Sequence, residues 1–102
     1  MFDVVFIGST TAAQSYRAAG IMSYGPEPER SAERIIAERR RCRVMAMSRE
    51  TLAALPEWLA SDLQRGPMPV LEIVPGDTAP ADVCGIAARL LGMTRGAAPA
   101  NA

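Results

Sequence analysis

Short apolar runs alternate with amphipathic stretches along this chain. Continuous apolar runs are typical of strands buried on both faces of a sheet, and apolar positions at helical spacing predict helices. Strands are predicted over Phe2–Ile7 and residues 21–24, 44–47 and 70–74, with helices after residue 9, over 28–41, after Pro56 and over 80–92. A strand–helix order repeated four times predicts an α/β fold: one small domain with a four-stranded parallel sheet flanked by helices, in Rossmann-like or receiver-like alternation.

Residues that start and stop helices mark the boundaries of these elements. One of the hydroxyl residues 9–11 is expected to cap the first helix by accepting from its free backbone N–H groups, and Gly20 is a natural terminator. Ser48 is expected to cap the third helical region in the same way. Because Pro56 would break the interior of a regular helix, that region is predicted as a short turn followed by a new helix that begins near Pro56 and ends at Gly66.

Helical spacing also predicts which side chains pack inward. Trp58 lies on or beside the stripe of the third helical region and is interpreted as a packing residue. Glu72 lies in the fourth strand without a partner carboxylate and is interpreted as an exposed or edge-facing residue. The expected buried stripes are Ala32, Ile35 and Ile36 in the second helix, and Leu52, Leu55, Leu59 and Leu63 in the third region.

The last helix is apolar almost all round, with only Asp82 and Arg89 charged. Such a helix should be buried on more than one side, so either it is wedged into the core or one face meets a partner. The chain therefore divides into an α/β sheet domain over residues 1–78, a C-terminal helix of the same domain over 79–93 that is wedged into the core, mobile or bound to a partner, and a tail over 94–102 expected to be disordered.

Composition narrows the class of protein. A chain of 102 residues, 49% of them apolar, closes one modest core. The formal net charge is zero, from 11 basic and 11 acidic residues, which disfavours a non-specific nucleic-acid binder. All the basic residues are arginine, and the lack of histidine removes Ser–His and Cys–His nucleophile pairs and histidine metal sites.

The two cysteines, Cys42 and Cys84, lie in or beside apolar segments and are interpreted as reduced, buried thiols. No apolar run approaches the roughly 20 residues that span a bilayer. Phe2–Ile7 is too short for a signal peptide and lacks a basic start. These features predict a cytoplasmic protein without direct membrane insertion.

The turn after the first strand is where an α/β sheet most often binds a ligand, and here it spans residues 8–11. It lacks the GxGxxG spacing, and a P-loop is excluded because the chain has no lysine. Receiver chemistry needs an aspartate where Ser48 stands. The sequence predicts no catalytic residue, cofactor site or metal site. A small ligand-binding or phosphotransfer-like module that uses the 8–11 loop remains an alternative, because a helix start can hold an anion weakly.

One ordered set of motifs resembles the central-stalk F subunit of the V-type (A/V-type) rotary ATPases and ATP synthases. The matching residues are Ile7-Gly8-Ser9, then Tyr16-Arg17-Ala18-Ala19-Gly20-Ile21, then Tyr24-Gly25. The proline-led strand Met68-Pro69-Val70 and the terminal apolar helix follow in the family's order. The resemblance covers roughly residues 3 to 93, and Ser9 departs from the acidic residue common in the family.

The resemblance implies a non-catalytic central-stalk subunit, cytoplasmic and peripheral to the membrane in the V1/A1 sector. Such subunits bind the coiled-coil shaft, which is the D subunit, and rotate inside the A/B catalytic hexamer, which couples ATP hydrolysis or synthesis to proton or sodium transport. The terminal helix can reach the hexamer transiently and regulate hydrolysis. Expected partner-binding residues are Tyr16, Arg17, Ile21, Val83, Ile86, Ala87, Leu90 and Leu91.

Overall fold

The computed structural model describes residues 2–74 and 79–94. Its strands are β1 (Phe2–Ile7), β2 (Met22–Tyr24), β3 (Cys42–Ser48) and β4 (Val70–Ile73). Its helices are α1 (Thr10–Ala18), α2 (Ser31–Glu38), α3 (Arg49–Ala53), α4 (Glu57–Arg65) and α5 (Pro80–Thr94), with a 3₁₀ turn at Pro28–Arg30 before α2.

The four strands form one parallel sheet in the order β2-β1-β3-β4. Val5 of β1 pairs with Met22 on one side and with Met45 on the other, and Met45 of β3 pairs in turn with Val70, so β1 and β3 lie at the centre. This arrangement confirms the predicted fold class: a small α/β domain with an all-parallel sheet, flanking helices and a C-terminal helix.

Alternate residues of the central strands feed two separate cores. Val4 and Phe6 of β1 face α1 and α5, whereas Val5 and Ile7 face α2 and α4. Both cores are closed by side chains that are almost fully buried, which explains why β1 carries apolar residues on both faces. The first core includes Ala13, Tyr16, Val83 and Ala87, and the second includes Ile35, Met45, Leu59 and Leu63.

The predicted helix boundaries follow local capping chemistry. The Ser9 hydroxyl accepts from the backbone N–H of Ala12 at 3.1 Å, and Ser48 accepts from that of Thr51 at 3.3 Å. Pro56 separates α3 from α4 and occupies the N-cap of α4. The capping predictions are therefore confirmed. Gly20 adopts a left-handed φ of 89° directly after α1, a conformation that glycine reaches without steric cost.

Three packing predictions were wrong. Ile36 is 41% exposed and Trp58 is 60% exposed, although both were expected to pack inward. Each follows or precedes the buried residue of its helix by one position, a rotation of about 100° that turns it away from the sheet. Cys84 is exposed for the same reason, next to buried Val83, whereas Cys42 is buried as predicted.

The second helix is shorter than predicted, and β3 is longer. Helix α2 ends at Glu38, the Arg41 backbone N–H bonds to the Glu38 carbonyl at 2.8 Å, and β3 begins at Cys42, which pairs with Phe2. The predicted strand over 44–47 missed the start of β3 because exposed Arg43 interrupts its apolar run. The C-terminal helix continues to Thr94, and the rest of the predicted tail lies outside the described residues.

No helix in the described ranges combines the length and the apolar character that a membrane span requires.

Candidate functional site

The carboxyl edge of the sheet carries a cavity of about 480 Å³. It opens between the ends of β1 and β3, where the chain order reverses and where sheets of this type bind ligands. Its walls come from the turn after β1, the loop after β2 and the start of α3. The lining includes the hydroxyl residues Ser9, Thr10, Ser31, Ser48 and Thr51, the carboxylates Glu27 and Glu50, and Gly8 and Gly25.

The hydroxyl groups of this cavity are engaged in holding the fold. Ser9 caps α1, Ser48 donates to the Thr51 hydroxyl at 2.8 Å, and Thr10 donates to the Gly25 carbonyl at 3.4 Å. Gly25 lies so close that a Cβ placed on it would fall 2.6 Å from the Cα of Thr10. The turn over residues 8–11 is therefore a cap and a packing contact.

The charges around the cavity are unfavourable for an anion. Glu27 and Glu50 line it, and within the described part of the chain no arginine does. The groups with positive character there include the backbone N–H groups at the starts of α1 and α3, and Ser9 and Ser48 already accept from one at each start. A phosphate placed there would meet two carboxylates and no counter-charge.

The residues that carry the family resemblance build the corner between α1 and β2. Tyr16 stacks on Phe6 with ring centroids 4.0 Å apart, and burial raises the pKa of its phenol. Arg17 donates from Nη2 to the Ser23 carbonyl at 2.6 Å, and Ile21 is buried as the chain enters β2. These three side chains of the motif therefore have structural tasks in the fold.

The expected partner-binding residues divide into two groups. Tyr16, Ile21, Val83 and Ala87 are at most 4% exposed and belong to the core between the sheet and helices α1 and α5. In this conformation they are packing residues, so the prediction that they contact a partner needs α5 or the α1–β2 corner to open. The other four are Arg17, which is exposed, and Ile86, Leu90 and Leu91, which are half-buried.

Helix α5 has one buried side and one side of small residues. Val83 and Ala87 face the sheet, and Leu90 and Leu91 pack against the same core. Cys84, Gly85 and Ala88 are exposed. The apolar character of this helix thus comes partly from small residues on its exposed side. In the structure the other side of the helix packs against the core next to the sheet.

No cluster of three potential metal ligands occurs among residues 2–74 and 79–94. Glu72 is exposed and accepts from Nε of Arg49 at 2.6 Å, so its interpretation as an exposed or edge-facing residue is confirmed. This ion pair ties the end of β3 to the edge strand β4.

A buried carboxylate at the arginine-rich end of α2 was not predicted from the sequence. Glu38 is fully buried, its Oε2 lies 3.1 Å from Nη1 of Arg34 and 3.7 Å from Nη1 of Arg41, and its Oε1 has no hydrogen-bond partner. The four-residue spacing between Arg34 and Glu38 is the sequence signal that could have paired them.

The surface formed by α2 and α4 was not predicted from the sequence either. Nη1 of Arg39 lies 2.5 Å from Oδ2 of Asp62 across the two helices, and Ile36 of α2 and Trp58 of α4 are both exposed. A tryptophan in a helix beside a leucine stripe is expected in the core from its sequence, and only the packed fold shows that it faces outward.

Comparison with known proteins gives no family assignment: no family model matches the chain, and a search of curated proteins returns no match.

Proposed function

We propose that this chain is a non-catalytic central-stalk subunit of a V-type rotary ATPase or ATP synthase, of the F-subunit kind. It binds the coiled-coil shaft, sits in the cytoplasmic V1/A1 sector and helps to couple ATP turnover to proton or sodium transport. The observation that carries the proposal is the Tyr16–Arg17–Ala18–Ala19–Gly20–Ile21 motif, which forms the α1–β2 corner of an all-parallel α/β domain.

The carboxyl edge of the sheet supports a binding role over a catalytic one. The hydroxyls at this edge hold caps and turns, and the two carboxylates Glu27 and Glu50 have no described histidine, cysteine or metal cluster to work with. A subunit that transmits torque by contact needs a rigid domain and an interaction surface, and it needs no reacting group.

Helix α5 limits how this subunit could regulate hydrolysis. Its release would expose Val83 and Ala87 together with the strand residues Val4 and Val44 that they cover. Buried aliphatic surface of this kind costs free energy when it is exposed to water. A regulatory extension of α5 towards the A/B hexamer therefore requires a partner that covers the same apolar side.

The proposal is tested by rebuilding the enzyme. We expect a V1/A1 sector assembled without this chain to couple ATP hydrolysis to shaft rotation poorly, and the purified chain to restore coupling. Deleting residues 80–102 is a poor variant for this assay because it uncovers the core. Variants on the exposed side of α5, such as Ala88→Arg, are better suited to this assay because they leave Val83 and Ala87 packed against the core. A rebuilt complex whose activity is the same with and without the chain would contradict the proposal.

The carboxyl-edge cavity favours a second candidate, a small ligand-binding module that uses the 8–11 loop. Its position at the reversal of strand order and its volume of about 480 Å³ support this function. Its two carboxylates oppose phosphate-bearing ligands. A ligand that binds the folded chain raises its melting temperature, so thermal shift with nucleotides, sugar phosphates and their uncharged analogues separates the two candidates.

A further inference from the structure

Helices α2 and α4 lie side by side on one face of the sheet and border a groove. Both helices connect parallel strands, so they run in the same direction. Ile35 of α2 and Leu59 of α4 pack into the same core below them. The Arg39–Asp62 ion pair crosses from one helix to the other and fixes their register.

Ile36 and Trp58 lie at one level of this groove. Trp58 precedes Asp62 by four residues, so the two share one flank of α4, and Asp62 shows that this flank faces α2. Ile36 precedes Arg39 by one turn of α2 in the same way. Two of the three exposed large apolar side chains of the described residues therefore stand together, 41% and 60% exposed.

The groove continues beyond the ion pair into a cavity of about 270 Å³ at the C-terminal ends of the two helices. Arg39 and Asp62 line its near side, and Leu63, Pro67 and Met68 supply an apolar floor. The ion pair thus lies between two apolar surfaces: Ile36 and Trp58 on one side, and the floor of the cavity on the other. The groove is therefore longer than the part that Ile36 and Trp58 occupy.

Charges of opposite sign mark the two ends of the groove. Exposed Glu33 and Glu57 lie at the N-terminal end, and exposed Arg40 and Arg65 lie at the C-terminal end. Within the described ranges none of these four forms a salt bridge, whereas Arg34, Arg39, Arg41, Arg43 and Arg49 all do. Carboxylates at helix starts and arginines at helix ends also suit the helix dipoles, but dipoles do not account for the exposed Trp58 and Ile36.

We propose that the α2/α4 groove is the docking surface for an amphipathic helix of the coiled-coil shaft. The apolar stripe of that helix covers Trp58 and Ile36, its basic residues face Glu33 and Glu57, and its acidic residues face Arg40 and Arg65. A groove between two helices with an exposed tryptophan is suited to a helical ligand, and tryptophan is enriched among the residues that dominate binding. The identity of the helix as part of a stalk coiled coil rests on the proposed function.

This surface differs from the one that the sequence predicted. The α1/α5 face offers side chains that are largely committed to the core, whereas the α2/α4 groove offers exposed apolar groups and open charges in the conformation described. The charge pattern also fixes the direction of the bound helix, because a helix docked in the reverse direction would bring like charges together.

The test measures binding of the purified chain to the purified cognate shaft protein. Truncation of a tryptophan that anchors an interface weakens binding by about tenfold or more, and we expect that loss for Trp58→Ala and a smaller one for Ile36→Ala. The matched control is Met22→Ala, which truncates a 37%-exposed side chain in the edge strand β2. Unchanged melting temperatures show that all three variants are folded.

Charge reversal supplies a second readout. The Arg40→Glu, Arg65→Glu double variant replaces the two positive charges at one end of the groove with negative ones. We expect it to bind the shaft more weakly and with a changed dependence on salt, because these charges then repel the acidic residues of the bound helix. This variant leaves the apolar pair intact. A docking surface elsewhere on the domain would leave both the affinity and its salt dependence unaltered.

The outcomes separate the two proposals. If the wild-type chain and the Trp58→Ala variant bind the shaft protein with equal affinity, the proposed docking surface is wrong and the proposed stalk function is retained. Failure of the wild-type chain to bind the shaft overturns both. Self-association of the chain that Trp58→Ala abolishes, with shaft binding unaltered, overturns the docking proposal in favour of a second copy of this chain as the occupant of the groove.

Discussion

At the residue scale, Gly25 is the described glycine whose added Cβ would come closest to backbone atoms of another segment. A Cβ there would fall 2.6 Å from the Cα and 2.9 Å from the nitrogen of Thr10, both backbone atoms that cannot rotate away. We expect Gly25→Ala to lower the free energy of unfolding by about 1 to 3 kcal/mol, because the loop after β2 must move off the start of α1.

Gly85 provides the matched control for this substitution. It lies in α5, and a Cβ there meets nothing within 4 Å. We expect Gly85→Ala to raise the free energy of unfolding by about 0.5 to 1 kcal/mol, since alanine favours the helix. Chemical denaturation measures both, and equal effects of the two substitutions would contradict the close approach at Gly25.

Cys42 links the stability of the domain to pH. Burial first, and the negative charge of Glu38 second, raise the pKa of its thiol from the ordinary 9.0 to about 11. The folded state therefore holds this proton more tightly than the unfolded state. Its contribution is fully present below pH 9 and is lost as the pH rises towards about 11.

We expect the free energy of unfolding to fall by about 1 kcal/mol per pH unit in that window through Cys42 alone. Cys42→Ala should remove this part of the pH dependence, and Cys84→Ala, at the exposed thiol, should leave it. Burial also raises the pKa of Tyr16, so some loss of stability at high pH persists in both variants. Denaturation curves from pH 8 upward measure the effect, and identical pH profiles for the two alanine variants would refute it.

At the scale of elements, α5 decides whether the C-terminal helix belongs to the domain. Val83 is fully buried against the sheet, whereas Ala88 on the same helix is exposed. We expect Val83→Ala to destabilise the domain by about 1 to 3 kcal/mol through the cavity it leaves, and Ala88→Ser to cost much less. If both substitutions were equally harmless in denaturation, α5 would be detached from the core, as a mobile terminal helix would be.

The strands and helix starts could be predicted because their signals are local. β1 is apolar on both faces because the sheet is covered on both, and Ser9, Ser48 and Pro56 act within one turn of where they stand. Chain order then implied a parallel sheet. The order β2-β1-β3-β4 itself depends on which strands pair across the fold, and no local pattern encodes it.

The surface could not be predicted because exposure depends on neighbours. Trp58 lies one position before buried Leu59, and Cys84 one position after buried Val83, so the sequence spacing alone does not tell which side chain faces the sheet. Glu38 is buried between arginines that a sequence shows only as a charged run. Half of the predicted partner-binding residues are core residues for the same reason.

At the scale of the whole molecule, the three surfaces have different characters. The α1/α5 face is closed over its own core, and the cavity at the carboxyl edge is bordered by carboxylates such as Glu27 and Glu50. The α2/α4 groove combines the exposed apolar residues Ile36 and Trp58 with open charges at both ends. Of these three described surfaces, the α2/α4 groove is the one suited to binding a protein helix, which is what the proposed stalk function requires.

The proposed stalk function is tested most directly by the equilibrium binding of the purified chain to its cognate coiled-coil shaft protein. Calorimetry or sedimentation reports both affinity and stoichiometry on the unmodified proteins. We expect a one-to-one complex that forms at or below micromolar concentrations and survives gel filtration. A shaft protein that folds correctly and shows no binding at concentrations well above micromolar would contradict it.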